Sequence, residues 1–304
     1  MPRSLFSSLI QFIFFGNYFY GLCAVALSIE ASLQQQYPLN VFWYYLIVFL
    51  ITVLFYTKAY LSERISGSMN QRSQWYTKHF IFVKWNQIYF AVLSSIVFTL
   101  LLISNWKSFL QLSTTEWIII LVFPLMAFLY YGVDTTYNKI VLRNIGWLKP
   151  FIIGFVWAGI VTVYPVLFYN FNHSSNYEFT QIGFLLFIKN LMFIAMLCVL
   201  FDIKDYATDS NEQLKTFVVK SGLRKTIFSF VIPMSFIGWG SFVLYGYLQH
   251  FHPIKIVLNT IPFLLLILIA YSLHKPKSIF YYLILIDGLM LAKAICGSVG
   301  MVFF

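Results

Sequence analysis

Long apolar runs recur along the chain and constrain its fold more than any other feature. A helix rises 1.5 Å per residue, so about 20 apolar residues cross the roughly 30 Å hydrocarbon core of a bilayer. The sequence predicts an all-α integral membrane bundle of about nine transmembrane helices, with residues 1–304 forming a single transmembrane domain. The predicted spans are 5–29, 39–61, 85–104, 117–133, 150–170, 182–201, 226–248, 254–273 and 278–303.

The charges are few and are distributed unevenly between the predicted loops. Only 10% of the residues are charged, against about a quarter in soluble domains, and the net charge is +10. Fifteen Lys and Arg residues fall at the N-terminus and in the even-numbered loops, whereas only Lys107 and Lys255 fall in the odd-numbered loops. The positive-inside rule therefore places the N-terminus in the cytoplasm and the C-terminus outside. Because the basic excess reports topology, no nucleic-acid partner is expected.

Three of the five aspartates lie within eight residues, where the sixth predicted span leaves the membrane. Asp202, Asp205 and Asp209 begin the long cytoplasmic loop 202–225, and a second long loop, 62–84, lies on the same side. If the helix continues, their offsets place the three carboxylates within about 60° of one another. Oxygen ligands without His or Cys favour Mg²⁺, which also takes phosphate oxygens. The spacing alone fits either a metal and diphosphate site or a solvated loop.

The residues around these aspartates resemble a motif of a known protein family. The segment 202–222 resembles the second aspartate-rich motif, D-x-x-D-x-x-x-D, of the UbiA-type intramembrane prenyltransferases, and the segment 143–150 is similar to the basic segment before that family's fifth helix. The resemblance implies a UbiA-like bundle with a cavity open to the bilayer, in which Mg²⁺ holds a polyprenyl diphosphate and the allylic carbocation alkylates an acceptor. It implies catalytic and metal-binding roles for Asp202, Asp205 and Asp209, and a metal-binding role for Glu63. The diphosphate contacts it implies are Arg64, Arg143, Lys149, Lys204 and Lys215.

The sequence departs from the family pattern at the end of the second span. No aspartate precedes Asp134, so Glu63 is the one carboxylate near the place of the first motif, and Gln213 replaces a glycine of the second. Lys58 or Arg64 would then contact the diphosphate directly. Alternatively, the chain keeps the fold without the reaction and binds a prenyl lipid or a partner protein.

Three charges fall inside predicted spans, where each is costly. Asp287 and Lys293 point about 120° apart on one helix, and they are the support for a third alternative, a small secondary transporter. Lys189 lies near the outer end of its span and is predicted to extend its ammonium group to the membrane surface. As partners we expect an isoprenyl diphosphate, a hydrophobic aromatic or lipid acceptor, and the bilayer, which we expect to be a bacterial cytoplasmic membrane.

Overall fold

The computed structural model describes residues 5–62, 71–131, 133–134, 139–140, 145–173, 180–204, 216–274 and 277–304. Almost all of them are helical, apart from a short antiparallel pairing of Val133–Asp134 with Lys139–Ile140. The helices are α1 (Leu5–Phe15), α2 (Tyr18–Gln34), α3 (Phe42–Ser62), α4 (Gln71–Lys78), α5 (Phe80–Ser104), α6 (Trp106–Leu110), α7 (Thr114–Tyr131), α8 (Lys149–Ala158), α9 (Tyr164–Asn172), α10 (Gln181–Lys204), α11 (Phe217–Ser221), α12 (Leu223–Lys225), α13 (Ile232–Leu248), α14 (Pro253–Ser272), α15 (Ile279–Tyr281) and α16 (Gly288–Phe303). Three π-helical segments interrupt them at Gly159–Val163, Thr226–Val231 and Tyr282–Ile286.

The prediction of an all-helical membrane bundle is confirmed. Among the described residues, six helices are long and apolar enough to cross a bilayer, and a bent helix pair raises this number to seven. Two further apolar helices, Phe42–Lys58 and Thr114–Tyr130, are shorter. Every predicted span contains helix, but the number nine is not confirmed and stays a prediction.

The described residues group into two compact units. The first comprises Met1–Ala26 and Asn40–Gln111, and the second comprises Leu27–Leu39 and Leu112–Phe304. Whether residues 1–304 behave as a single domain, as the apolar pattern predicts, stays a prediction.

In the first unit, the predicted first span consists of two helices rather than one. The segment Ser8–Phe15 and the helix Tyr18–Gln34 meet at an angle of 61°. Asn17, at the break, has a left-handed backbone with φ 65°, a conformation that asparagine tolerates better than most residues. A side chain at Gly16 would come within 2.6 Å of Phe12 O, so the tight turn also requires glycine there. A long apolar run predicts a membrane span, but it does not predict a break between two helices within that span.

The predicted loop 62–84 also contains regular structure in its described part. Residues Gln71–Lys78 form α4, and α5 begins at Phe80. Trp75 and Tyr76 of α4 are buried. The helix therefore packs within the first unit, against α1, α3 and α5, although its sequence is polar.

In the second unit, α10 is the central element. It packs along α8 and α13, and it also contacts all three π-helical segments. Many of its apolar residues are almost fully buried, among them Phe193, Ala195, Met196, Val199 and Leu200. Charged side chains on α10 are therefore held among neighbouring helices.

Candidate functional site

The end of α10 and the start of α8 bring one carboxylate and one ammonium group together. Asp202 lies two residues before the last residue of α10, and Lys149 is the first residue of α8. The Lys149 Nζ donates a hydrogen bond to Asp202 Oδ1 at 2.6 Å. The Asp202 side chain is 4% exposed and the Lys149 side chain is 30% exposed. Two residues predicted to serve the same site are thus in direct contact.

Lys149 stands at a helix end that the backbone dipole disfavours for a cation. Partial positive charge gathers at a helix N-terminus, where Lys149 lies, which costs about 0.3–1 kcal/mol at an exposed position, and the ion pair with Asp202 offsets that cost. An anion in front of α8 would be attracted by the dipole and by the ammonium group together.

Lys149 retains capacity for a further ligand. An ammonium group donates three hydrogen bonds, and among the described residues Asp202 is the one polar group that accepts from it. Because almost a third of the side chain is exposed, the remaining donors can reach a ligand that approaches the mouth of the bundle. Lys204, the last residue of α10, places its ammonium group 5.4 Å from the centre of the Phe201 ring.

The other predicted site residues lie outside the described residues, and their roles stay predictions. They are Glu63, Arg64, Arg143, Asp205, Asp209 and Lys215. The described part of α10 ends at Lys204, so the continuing helix that would align the three aspartates is also untested.

The described residues do not by themselves form a Mg²⁺ site. Among them, no three His, Cys, Asp or Glu side chains converge, and the described aspartate of the motif, Asp202, already bonds an ammonium group. The expectation of Mg²⁺ therefore depends on Asp205, Asp209 and Glu63 in addition to Asp202.

Asp287 belongs to the same neighbourhood as the pair. It is buried, and it follows the π-helical segment Tyr282–Ile286, which packs against α10. The thiol of Cys198, one turn before Asp202, lies within electrostatic range of Asp202, Lys149 and Asp287. The end of α10 thus gathers buried polar groups beside the Lys149–Asp202 pair.

The second unit also contains a buried charged cluster that sequence reasoning missed. The Lys189 Nζ donates to Glu30 Oε1 at 2.9 Å, and the Lys293 Nζ donates to Glu30 Oε2 at 2.6 Å. Lys189 also donates to Gln34 Oε1 at 2.8 Å and to Asn259 Oδ1 at 3.3 Å. Glu30, Lys189 and Lys293 are each at most 2% exposed. We call these three residues the ion triad.

The prediction that Lys189 extends to the membrane surface is wrong. Its three N–H groups are taken up by one carboxylate and two amide oxygens, and its Nζ also lies 4.4 Å from the centre of the Phe242 ring. Glu30 was not predicted to lie in a membrane helix, because the first span was predicted to end at residue 29, whereas α2 continues to Gln34. The available signal was the spacing of Glu30 and Gln34, four residues apart on one helix face.

In the first unit, the helix break is stabilised by polar side chains. The Arg72 guanidinium donates to Phe15 O at 3.4 Å and to Asn17 Oδ1, and the Tyr76 hydroxyl donates to Phe15 O at 2.8 Å. The Asn17 Nδ2 donates to Thr57 Oγ1 at 3.0 Å. These contacts satisfy carbonyls at the end of α1 that have no partner within the helix. The described end of α3, near the expected first motif, thus contributes the Thr57 hydroxyl to this network and carries Lys58, and it contains no carboxylate.

The described residues define a class, a multi-pass helical membrane protein, with a carboxylate–ammonium pair where the described part of α10 ends and α8 begins. The fold is shared with a solved structure of digeranylgeranylglyceryl phosphate synthase, which is a UbiA-type prenyltransferase. The match covers 97% of this chain and 99% of that chain, with a TM-score of 0.58 and 15% sequence identity. At this identity, the likeness establishes the fold.

No family model matches the sequence. No curated protein matches it either.

Proposed function

We propose that this protein transfers an isoprenyl group from a polyprenyl diphosphate to an aromatic or lipid acceptor, at the cytoplasmic surface of the membrane. The single observation that carries the proposal is the Lys149–Asp202 pair at the mouth of a UbiA-type bundle. A partly exposed ammonium group at a helix N-terminus suits a diphosphate, and the apolar helices suit a prenyl chain.

In the proposed reaction, Lys149 contacts an oxygen of the diphosphate. As the allylic C–O bond breaks, its electron pair stays with the diphosphate, so negative charge grows where the ammonium group donates. The acceptor then forms a bond to the allylic carbon and loses a proton. Asp202 orients Lys149 and keeps the ammonium group at the mouth.

We further propose that Mg²⁺ assists the reaction, held by Asp202, Asp205 and Asp209 with Glu63. When bound, the ion would neutralise charge on the leaving diphosphate. This part of the proposal rests on the sequence resemblance. Arg64, Arg143, Lys204 and Lys215 are the further diphosphate contacts that it implies.

Binding and turnover of isoprenyl diphosphates test the proposal. Purified protein in nanodiscs is incubated with farnesyl or geranylgeranyl diphosphate, with Mg²⁺ or with EDTA, and bound ligand and released diphosphate are measured. Losing a hydrogen bond to a charged group costs about 1.5–3 kcal/mol, so Lys149→Met should weaken binding at least tenfold. Asp205→Ala should abolish turnover. Lys107→Met, an exposed change on α6, is the control and should leave both unchanged.

The outcomes separate two functions. Absence of binding under all conditions, or unchanged turnover in Asp205→Ala, contradicts the proposed transferase. Prenyl-lipid binding that survives EDTA and the loss of all three aspartates, without diphosphate release, supports instead a non-enzymatic lipid-binding protein on the same fold.

The orientation is a separate proposal, with the N-terminus in the cytoplasm and the C-terminus outside. It is supported by the distribution of Lys and Arg between the loops. Protease accessibility of terminal tags in sealed vesicles of known orientation tests it. A protected C-terminal tag in right-side-out vesicles contradicts it.

A further inference from the structure

A groove lies in the second unit at the start of the span Leu223–Leu248 and the end of the span Pro253–Ser272. Its volume is about 290 Å³. Because one apolar span begins and the other ends at these residues, we expect the groove at the level of the lipid headgroups and the upper acyl chains. The lining residues are Leu223, Arg224, Ile227, Phe228, Tyr271 and His274.

The walls of the groove are apolar and aromatic. The rings of Phe228 and Tyr271 approach edge to face, with 6.4 Å between their centres. Phe228 is 50% exposed and Tyr271 is 59% exposed. Leu223 of α12 and Ile227 of the following π-helical segment complete the wall. An apolar trough with two exposed rings at a membrane surface is suited to a hydrocarbon chain.

The mouth of the groove carries a cation. The Arg224 side chain is exposed, and within the described part of the chain it makes no hydrogen bond or ion pair. His274 is exposed as well, and its Nδ1 donates to Tyr271 O at 2.6 Å, which fixes the ring beside the groove. A guanidinium group next to an apolar trough matches the two ends of a phospholipid, because arginine binds phosphate with two parallel hydrogen bonds.

The backbone holds Arg224 between two irregular features. Gly222, two residues before it, has a φ of 77°, which glycine adopts without strain, and the π-helical segment Thr226–Val231 starts two residues after it. The Thr226 hydroxyl donates to Gly222 O at 3.0 Å and links the two features. π-Helical segments occur often at functional sites, since they widen a helix locally.

We propose that this groove binds an anionic phospholipid, with an acyl chain along Phe228 and Tyr271 and the phosphate on Arg224. The basic loops place this end of the bundle on the cytoplasmic side, where the leaflet carries anionic lipids. The proposal concerns a surface separate from the Lys149–Asp202 pair and does not depend on prenyl transfer.

Nanodiscs of two compositions test the proposal. The protein is reconstituted in phosphatidylcholine alone and in phosphatidylcholine with phosphatidylglycerol, and native mass spectrometry measures the phosphatidylglycerol that remains bound after release. Arg224→Gln should weaken retention about fivefold to tenfold, and Arg224→Lys, which keeps the charge but loses the two parallel hydrogen bonds, should weaken it less. Lys225→Gln is the matched control, because it removes the neighbouring exposed charge, which does not line the groove. Tyr271→Ser should weaken retention of both lipids.

Two results overturn the proposal. If Arg224→Gln and Lys225→Gln reduce retention equally, the protein attracts anionic lipid through general surface charge. If soluble glycerol phosphate or inorganic diphosphate displaces the lipid, the site recognises a free phosphate group rather than a lipid. Because every substituted side chain is exposed, the variants are expected to fold, and thermal unfolding of each variant checks this.

Discussion

Replacing Glu30 with glutamine should destabilise the protein more than any other single change in the ion triad. Glu30 accepts hydrogen bonds from both lysines of the triad, and it is the carboxylate that offsets their charges. In Glu30→Gln, two ammonium groups stay in a place where at most 2% of each side chain is exposed. Removing one partner of a buried ion pair costs about 3–5 kcal/mol, so a loss of at least that size is expected.

Replacing Lys293 should cost less stability than replacing Glu30. Lys293 has one hydrogen-bond partner among the described residues, Glu30, so Lys293→Met leaves Glu30 and Lys189 as a neutral pair. Glu30 Oε1 still accepts from Lys189 and from the Gln34 amide, at 2.9 and 2.8 Å. Methionine fills a similar volume, but Glu30 Oε2 loses its hydrogen bond, so we expect a loss of about 1–3 kcal/mol, smaller than that of Glu30→Gln.

Unfolding in mixed detergent micelles, with increasing sodium dodecyl sulfate and helix content as the readout, gives the free energies. The two variants are compared with the wild type under identical conditions. Equal losses for Glu30→Gln and Lys293→Met, or a loss below about 1 kcal/mol for Glu30→Gln, would refute the reasoning. Either result would show that the two lysines do not depend on the carboxylate for their burial.

Three further predictions concern other contacts. Lys149→Met should cost about 1–3 kcal/mol and more than Asp202→Asn in the same unfolding assay, because the carboxylate is buried while the ammonium group is 30% exposed. Burial raises the pKa of Tyr76 from 10.0 to about 12, so about 3 kcal/mol of stability, present below pH 10, should be lost as the pH rises to about 12. Tyr76→Phe should remove that alkaline loss in unfolding measured at both ends of the interval. Gly297→Ala should cost about 1–3 kcal/mol in thermal unfolding, because its Cβ would lie 2.5 Å from Glu30 Oε1, and an unchanged melting temperature would contradict the packing.

The helices could be predicted from the sequence because their apolar runs are long and continuous. The limits of the method appear where polar residues interrupt helices. The prediction ended the first span at residue 29, although α2 continues to Gln34, and it treated 62–84 as a loop although Gln71–Lys78 is helical. In both places tertiary contacts stabilise a helix that its own hydropathy does not indicate.

The sequence predicted roles for the site residues but not the contacts between them. Asp202 was predicted to be catalytic and to bind a metal and Lys149 to bind a diphosphate, and those roles stay predictions, whereas their direct bond joins residues 53 positions apart. Glu30 meets Lys189 and Lys293 across 159 and 263 positions. Helix periodicity relates residues three or four positions apart, so it gives no information on such pairs. The cost of an unpaired intramembrane charge does imply that partners exist, even where it does not name them.

Exposure, rather than charge, distinguishes the two charged clusters along α10. Lys189 and Asp202 are thirteen residues apart on α10, which corresponds to about 20 Å along its axis. At the inner level, Lys189 gives all three of its N–H groups to protein oxygens and is fully buried, so an incoming anion would have to displace the protein's own acceptors. At the mouth, Lys149 gives one hydrogen bond to a described residue and is partly exposed, so a diphosphate can add to the pair without dismantling it. The ion triad therefore holds helices together, and the proposed diphosphate site belongs at the end of α10 where Lys149 lies.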